Sequence, residues 1–173
     1  MENVQPAPAS PDNFRLAMRQ LGGGICVITA ADQGVRTGMT VTSVISVALD
    51  PPELLVSINQ TASSWPLIQA SHCFGVNVLA SHQEAVARRF AGQDGAQGEQ
   101  RYAGATWCCT PDGVWLLDDA LAAIACEVVA CHSHSGYALV VGRASGLLVQ
   151  SPDAGPLLYW QGDYRQLSFP VGN

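Results

Sequence analysis

The chain has 173 residues, of which 48% are hydrophobic and only 13% charged, against about 25% charged in an average globular domain. With a net charge of −6, all eight cations arginine and a pI near 4.9, disorder and nucleic-acid binding by bulk charge are excluded. A surface so poor in charge is expected to be covered by self-association into a homodimer.

No apolar run reaches the roughly eighteen residues of a membrane span. The opening MENVQPAPASPDNF carries two acids and three prolines where a signal peptide carries cations, so a cytoplasmic protein is expected. Six cysteines without a CxxC pair then read as free thiols, most of them packed as small hydrophobes.

In chain order, residues 1–11 are rich in Pro, Ala and Ser and are expected to form a disordered tail. A single domain over 12–168 follows, with 169–173 as a C-terminal tail. Asp12 is placed to cap a short helix whose buried face is Phe14, Leu16, Ala17 and Leu21. Gly22-Gly23-Gly24 ends that pattern. Strands are predicted over 25–30, 37–47 and 54–59, separated by turn chemistry at Asp32-Gln33-Gly34 and Asp50-Pro51-Pro52. Ser63 or Ser64 caps a helix over 65–70, with Pro66 in its first turn. A strand over 73–79 and a helix over 82–90 come next, the helix turning Ala85, Val86 and Phe90 inward. The Gly- and Gln-rich stretch 91–100 carries no regular pattern. Two long β-rich runs, 121–131 and 137–148, are joined hairpin-fashion through the five residues between them. A Pro/Gly break over 151–156 leads to a last strand over 157–160. Many strands, few helices and no βαβ alternation predict a mainly β barrel with a few short helices.

Chemistry concentrates in three places. Thr37 to Ser43 with Ser46 places Thr40, Thr42 and Ser46 on one strand face and Met39, Val41 and Val47 on the other. A row of hydroxyls beside backbone amides suits the polar edge of a planar heterocycle, or a phosphate; threonine is also common on any exposed β-face. Ser57-Ile58-Asn59, followed by Thr61, Ser63 and Ser64, leads into a helix start, where anions bind. Arg88 and Arg89 are placed either to complete a phosphate pocket or to lie on a solvated helix face. Cys126, Cys131, His132 and His134 do not converge on a regular strand and have no second ligand pair, so no metal is expected. Cys108-Cys109 reads as packing, since strand neighbours point apart.

The runs GGGICVITA, GMTVTSVISVALDPPELLVSINQTASSWPLIQASHCFGVNVLASHQEAVARRFAG and LLYWQGDYRQL, in that order, resemble the flavin reductase-like family over residues 12 to 167. These are the small NAD(P)H:flavin oxidoreductase components of two-component flavin monooxygenases. The resemblance implies a flavin-binding split β-barrel of Greek key topology, usually a homodimer with flavin near the subunit interface. FMN or FAD is the implied flavin and NADH or NADPH the electron donor. It further implies hydride transfer from nicotinamide C4 to flavin N5 with no catalytic side chain, and delivery of reduced flavin to a separate flavin-dependent monooxygenase. Carried over by motif, Thr40, Val41, Thr42 and Ser43 line the isoalloxazine, and Ser57, Ile58 and Asn59 form the next flavin-contacting strand. Ser63 and Ser64 take the phosphate side, Asn77 lies on a strand beside the flavin, and Arg88, Arg89 and Phe90 lie nearest the phosphate or adenylate end. Tyr159 and Arg165 flank the cavity as secondary candidates. One residue departs from the pattern: Tyr137 stands where the family commonly has a histidine on the nicotinamide side. A tyrosine stacks and hydrogen-bonds but brings no positive charge to a pyrophosphate. A flavin carrier without turnover, and a flavin-independent dimeric interaction protein, are the rival readings.

Overall fold

A computed structural model describes residues 6–149 and 154–167. Helix α1 (Pro11–Met18) leads to the two-residue strand β1 (Gly23–Gly24) and then to β2 (Cys26–Asp32), β3 (Val35–Val41), β4 (Val44–Leu49) and β5 (Pro52–Asn59). Helix α2 (Trp65–Ser71), strand β6 (Cys73–Val78) and helix α3 (Glu84–Phe90) follow, then the small hairpin β7 (Trp107–Cys109) and β8 (Trp115–Leu117). The chain continues through β9 (Ala122–His134) and β10 (Tyr137–Val149) to β11 (Leu157–Trp160) and β12 (Asp163–Gln166). The architecture is mainly β with a few short helices, as the residue pattern predicts.

Seven strands form one antiparallel sheet in the order β3-β2-β6-β9-β10-β5-β4. Its two edge strands, β3 and β4, are consecutive in the chain and joined only by Thr42 and Ser43. Two residues span at most about 7 Å, so the sheet bends enough to bring the end of β3 beside the start of β4, and this junction forms a seam. This is why the single strand expected over 37–47 is two strands, and why the expected alternation from Thr40 to Ser46 does not hold. Ser46 and Val47 are both exposed on β4.

The curl gives the central strands two buried faces. Along β2, Cys26, Ile28 and Ala30 enter the core inside the curl with Val56, Ile58, Phe74 and Val140. Val27, between them, faces an outer core built by α3, the β7–β8 hairpin and Tyr102. Each such fully buried Ile or Phe contributes about 1.5–3 kcal/mol relative to exposure. At Gly38 on β3, a Cβ would sit 2.7 Å from the Phe90 ring and against the Ile28 carbonyl, so only glycine lets α3 lie this close.

Several local expectations change. Ser10, whose Oγ accepts from the Asn13 amide at 3.2 Å, caps α1 in place of Asp12. No residue of α1 is buried, and Phe14, Leu16 and Leu21 are exposed, because within one chain nothing packs on that face. The glycines read as a helix stop pair in β1 with Tyr159 and Leu158. A 3-10 turn (Ser81–Gln83) precedes α3, which buries Ala87 and Phe90 while Ala85 is exposed. The patternless stretch ends in another 3-10 turn, Gly98–Tyr102. Pairing in the long hairpin runs to His134 opposite Tyr137. That leaves a two-residue turn at Ser135 and Gly136, with φ of 48° and 81°, the left-handed pair a tight hairpin requires. Cys26 and Cys126 are buried, while Cys109 and Cys131 are exposed rather than packed; all six thiols are free.

Candidate functional site

The seam between β3 and β4 organises the hydroxyl-bearing residues. On the β3 side lies a cleft of about 210 Å³, floored by Ile25, Thr40, Val41 and Thr42. Its opposite wall is Tyr159 and Tyr164, cross-strand partners in the β11–β12 hairpin whose rings meet edge-on at 5.5 Å. Ala91 and Gln93, just past α3, close the third side. Thr40 donates its hydroxyl proton to the Ala87 carbonyl at 2.6 Å, so it fixes α3 to β3 and offers only acceptor capacity to a ligand. Arg88 reaches over the Tyr164 ring, 4.6 Å from its centroid. Its guanidinium bonds Glu84 at 2.8 Å and Gln93 at 2.9 Å, and the Glu84 bond holds its pKa above the ordinary value. Partial burial raises the Tyr164 phenol, an effect opposed by the Arg88 charge.

On the other side of the seam, Ser43 donates to the Ser57 carbonyl at 3.0 Å. Asn59 holds Thr61 through its side-chain oxygen at 2.9 and 2.8 Å, a local turn that shapes the entry to α2. Ser63 meets Thr37 at 3.2 Å across the seam. Ser64 is fully buried, and its hydroxyl has no partner among the described residues. Tyr137, at the start of β10, pairs with Asn59 on one side and His134 on the other.

Four of the expected residues turn inward or elsewhere. Asn77 is fully buried, donating to the Val27 carbonyl at 3.0 Å and accepting from the Leu117 amide at 2.7 Å. The side chains of Ile58 and Phe90 belong to the inner and outer cores. Arg89 bonds Asp94 at 3.0 Å and the Ala103 carbonyl, bracing the loop 91–105. The structure thus gathers Thr40 and Thr42 at the cleft with Arg88 beside it over Tyr164, and sets Arg89 apart from them. Sequence reasoning missed Tyr164 and Gln93. The symmetric spacing of Tyr159 and Tyr164 about Gln161-Gly162 was the available signal for the tyrosine; Gln93 had none, lying in the patternless stretch.

Residues 18–168 match the flavin reductase like domain family. This chain belongs to that family. The flavin reductase like domain described here is 33% identical over 154 residues to HsaB, the reductase subunit of a flavin-dependent monooxygenase from Rhodococcus jostii, covering 89% of this chain and 76% of the relative. With RutF, an FMN reductase (NADH) of Agrobacterium fabrum, it shares 30% identity over 155 residues, covering 90% of this chain and 87% of the relative. Flavin reductase PheA2 in its native state has a similar structure, with TM-score 0.83 at 31% identity, over 92% of this chain and 99% of that one.

The residues present fit a flavin. A planar ring has an aromatic wall in Tyr159 and Tyr164, hydroxyl and backbone polar groups along 40–43, and a cation beside it in Arg88. Among the described residues no group of three His, Cys, Asp or Glu side chains is placed to hold a metal ion, and no helix is long and apolar enough to cross a membrane.

Proposed function

We propose that this flavin reductase like domain is an NAD(P)H:flavin oxidoreductase that supplies reduced FMN or FAD to a separate flavin-dependent monooxygenase. The observation that carries the reading is the seam cleft, where a tyrosine wall, the 40–43 segment and Arg88 meet, in a chain whose relatives are named for that chemistry. A flavin held there would supply the redox chemistry, as the acceptor of a hydride from a nicotinamide. The chain's own part is to bind and orient, which needs no acid or base. Thr40, Val41, Thr42 and Ser43 face the ring from the seam; Ser57, Asn59 and Ser63 take the polar tail with buried Ser64 behind them, and Arg88 takes its phosphate. Ile58 offers backbone only, while Asn77, Arg89 and Phe90 hold the walls from behind. Tyr137 meets the nicotinamide.

The wider reading is a single domain over 12–168 that closes as a split barrel of Greek key type and works as a cytoplasmic homodimer. Joining of the edge strands through Thr42 and Ser43 supports the closure, and six free thiols support the compartment. Support for the dimer comes from an apolar groove of about 250 Å³ on β4, β5 and β10, where Leu49, Leu54 and Leu147 meet Ile124, beside exposed Ile45, Val47 and Val149.

A steady-state assay crossing NADH and NADPH with FMN and FAD tests the proposal. Oxidation of a nicotinamide that depends on added flavin is expected. Flavin binding without turnover would make the domain a carrier, and neither binding nor turnover would remove the flavin reading altogether.

A further inference from the structure

Gln93 stands on the rim of the seam cleft, and both its ends are tied to Arg88. Its backbone N–H donates to the Arg88 carbonyl at 3.0 Å, and its side-chain oxygen accepts from Arg88 Nη1 at 2.9 Å. A guanidinium only donates, so the amide has one possible orientation here: oxygen to Arg88, nitrogen away from it. Among the described residues Nε2 has no partner, although Gln93 is part of the cleft wall. Around it, Ala91, Ile25 and Val41 bring no side-chain polar group, the Thr40 hydroxyl proton is already given to Ala87, and none of the remaining lining hydroxyls, on Thr42, Tyr159 and Tyr164, bonds Gln93. An amide donor covered by a ring without an acceptor is costly, because a desolvated donor loses its water and gains nothing.

Resting on the flavin reductase reading, we propose that Gln93 is a specificity-determining residue that donates from Nε2 to a carbonyl oxygen on a planar nucleotide ring in the cleft. Arg88 sets the orientation of that donor, so the same arginine that neutralises a phosphate also aims the amide. Two rings bring such a carbonyl: the pyrimidine edge of the isoalloxazine and the carboxamide of the nicotinamide. Planar rings of the same size without a carbonyl are discriminated against.

Two substitutions separate this role from loop anchoring. Gln93→Glu keeps an oxygen for Arg88 but replaces the donor by a second acceptor, whereas Gln93→Met keeps the length and loses both. Riboflavin, which carries the ring without phosphate, is titrated by fluorescence quenching, and the NADH KM is measured with FMN saturating. The expected result is a riboflavin Kd raised about tenfold in both variants, with thermal stability of Gln93→Glu at the parent level. A rise confined to the NADH KM assigns the contact to the nicotinamide carboxamide and supports the donor role equally. Parent-like Kd and KM in Gln93→Glu, with losses only in Gln93→Met, overturn the proposal and leave an anchor. A parent protein that neither binds flavin nor oxidises NADH instead fails the reductase reading on which it rests.

Discussion

Arg88 and Arg89 are adjacent in sequence and one helical step apart in direction, and their partners differ accordingly. Arg88 lies over Tyr164 at the cleft, while Arg89 is spent on Asp94 and the Ala103 carbonyl. Arg88→Ala is expected to weaken FMN more than about tenfold, as loss of a charged hydrogen bond to phosphate does, and riboflavin less, only by the part that runs through the Gln93 amide; fluorescence titration of both flavins measures it. Arg89→Ala should affect both flavins alike. Tyr137 is 47% exposed beside Asn59 and His134, open to a second nucleotide. Tyr137→Ala should cost about threefold to tenfold in kcat/KM for the nicotinamide, the worth of one stacked aromatic, with the FMN Kd unchanged. Tyr137→His restores the family's residue: higher activity marks a weakened reductase on the family plan, and lower activity marks a role of the tyrosine itself.

Elements here are joined by buried side chains as much as by strand ladders. Asn77 on β6 reaches the β2 backbone with one end and the β8 backbone with the other. Asn77→Leu removes the buried side-chain partner of both the Val27 carbonyl and the Leu117 amide, so a loss of about 2–4 kcal/mol in urea denaturation is expected. The 91–105 loop is fastened differently, by exposed charge. The Asp94 carboxylate accepts from the Ala96 amide and from Arg89, the amide being the larger cause, and both hold its pKa below the ordinary value of 3.8. A lowered folded value means that this contribution is complete above pH 3.8 and is lost as pH falls through the lower folded value. The stability difference between the parent and Asp94→Asn should therefore be constant from neutral pH to about pH 4 and shrink below it, read from thermal melts across that range.

At the scale of the whole molecule, large apolar side chains stand exposed on α1 and again on β4 and β10. Leu49 is 89% exposed and Val149 74%, with Ile45, Val47 and Leu147 between half and two-thirds exposed. With the apolar groove that Leu49, Leu54 and Leu147 line, this exposure is the basis for the expected dimer. Sedimentation is expected to give about 36 kDa, twice the 18.2 kDa chain. Leu147→Glu should shift the mass toward 18.2 kDa without unfolding the chain, since a charge at a covered apolar contact is desolvated without a partner. A parent that sediments as a monomer at micromolar concentration would overturn this assembly.

Much of the architecture was legible in the order of residues. Apolar, β-branched runs mark β2, β5 and β6, the Asp-Gln-Gly and Asp-Pro-Pro clusters mark turns, and hydroxyls cluster around 40–43 and 57–64, because these signals depend on neighbours within a few residues. The reach of β9 to His134 was not legible: the pairing of polar His132 and His134 with β10 is dictated by a two-residue turn and a partner strand, not by their own propensity. The β7–β8 hairpin and β1 were hidden for the same reason, each being too short to carry a pattern of its own. By itself the sequence determined the strand-rich class, the family and the chemical character of the seam. Only the tertiary structure decided that Asn77, Ile58 and Phe90 serve the core, that Arg89 serves a loop, and that Tyr164 and Gln93 face the cleft. Propensity and spacing act along the chain, whereas burial and hydrogen-bond partnership are settled across it, by which distant segments arrive beside each side chain.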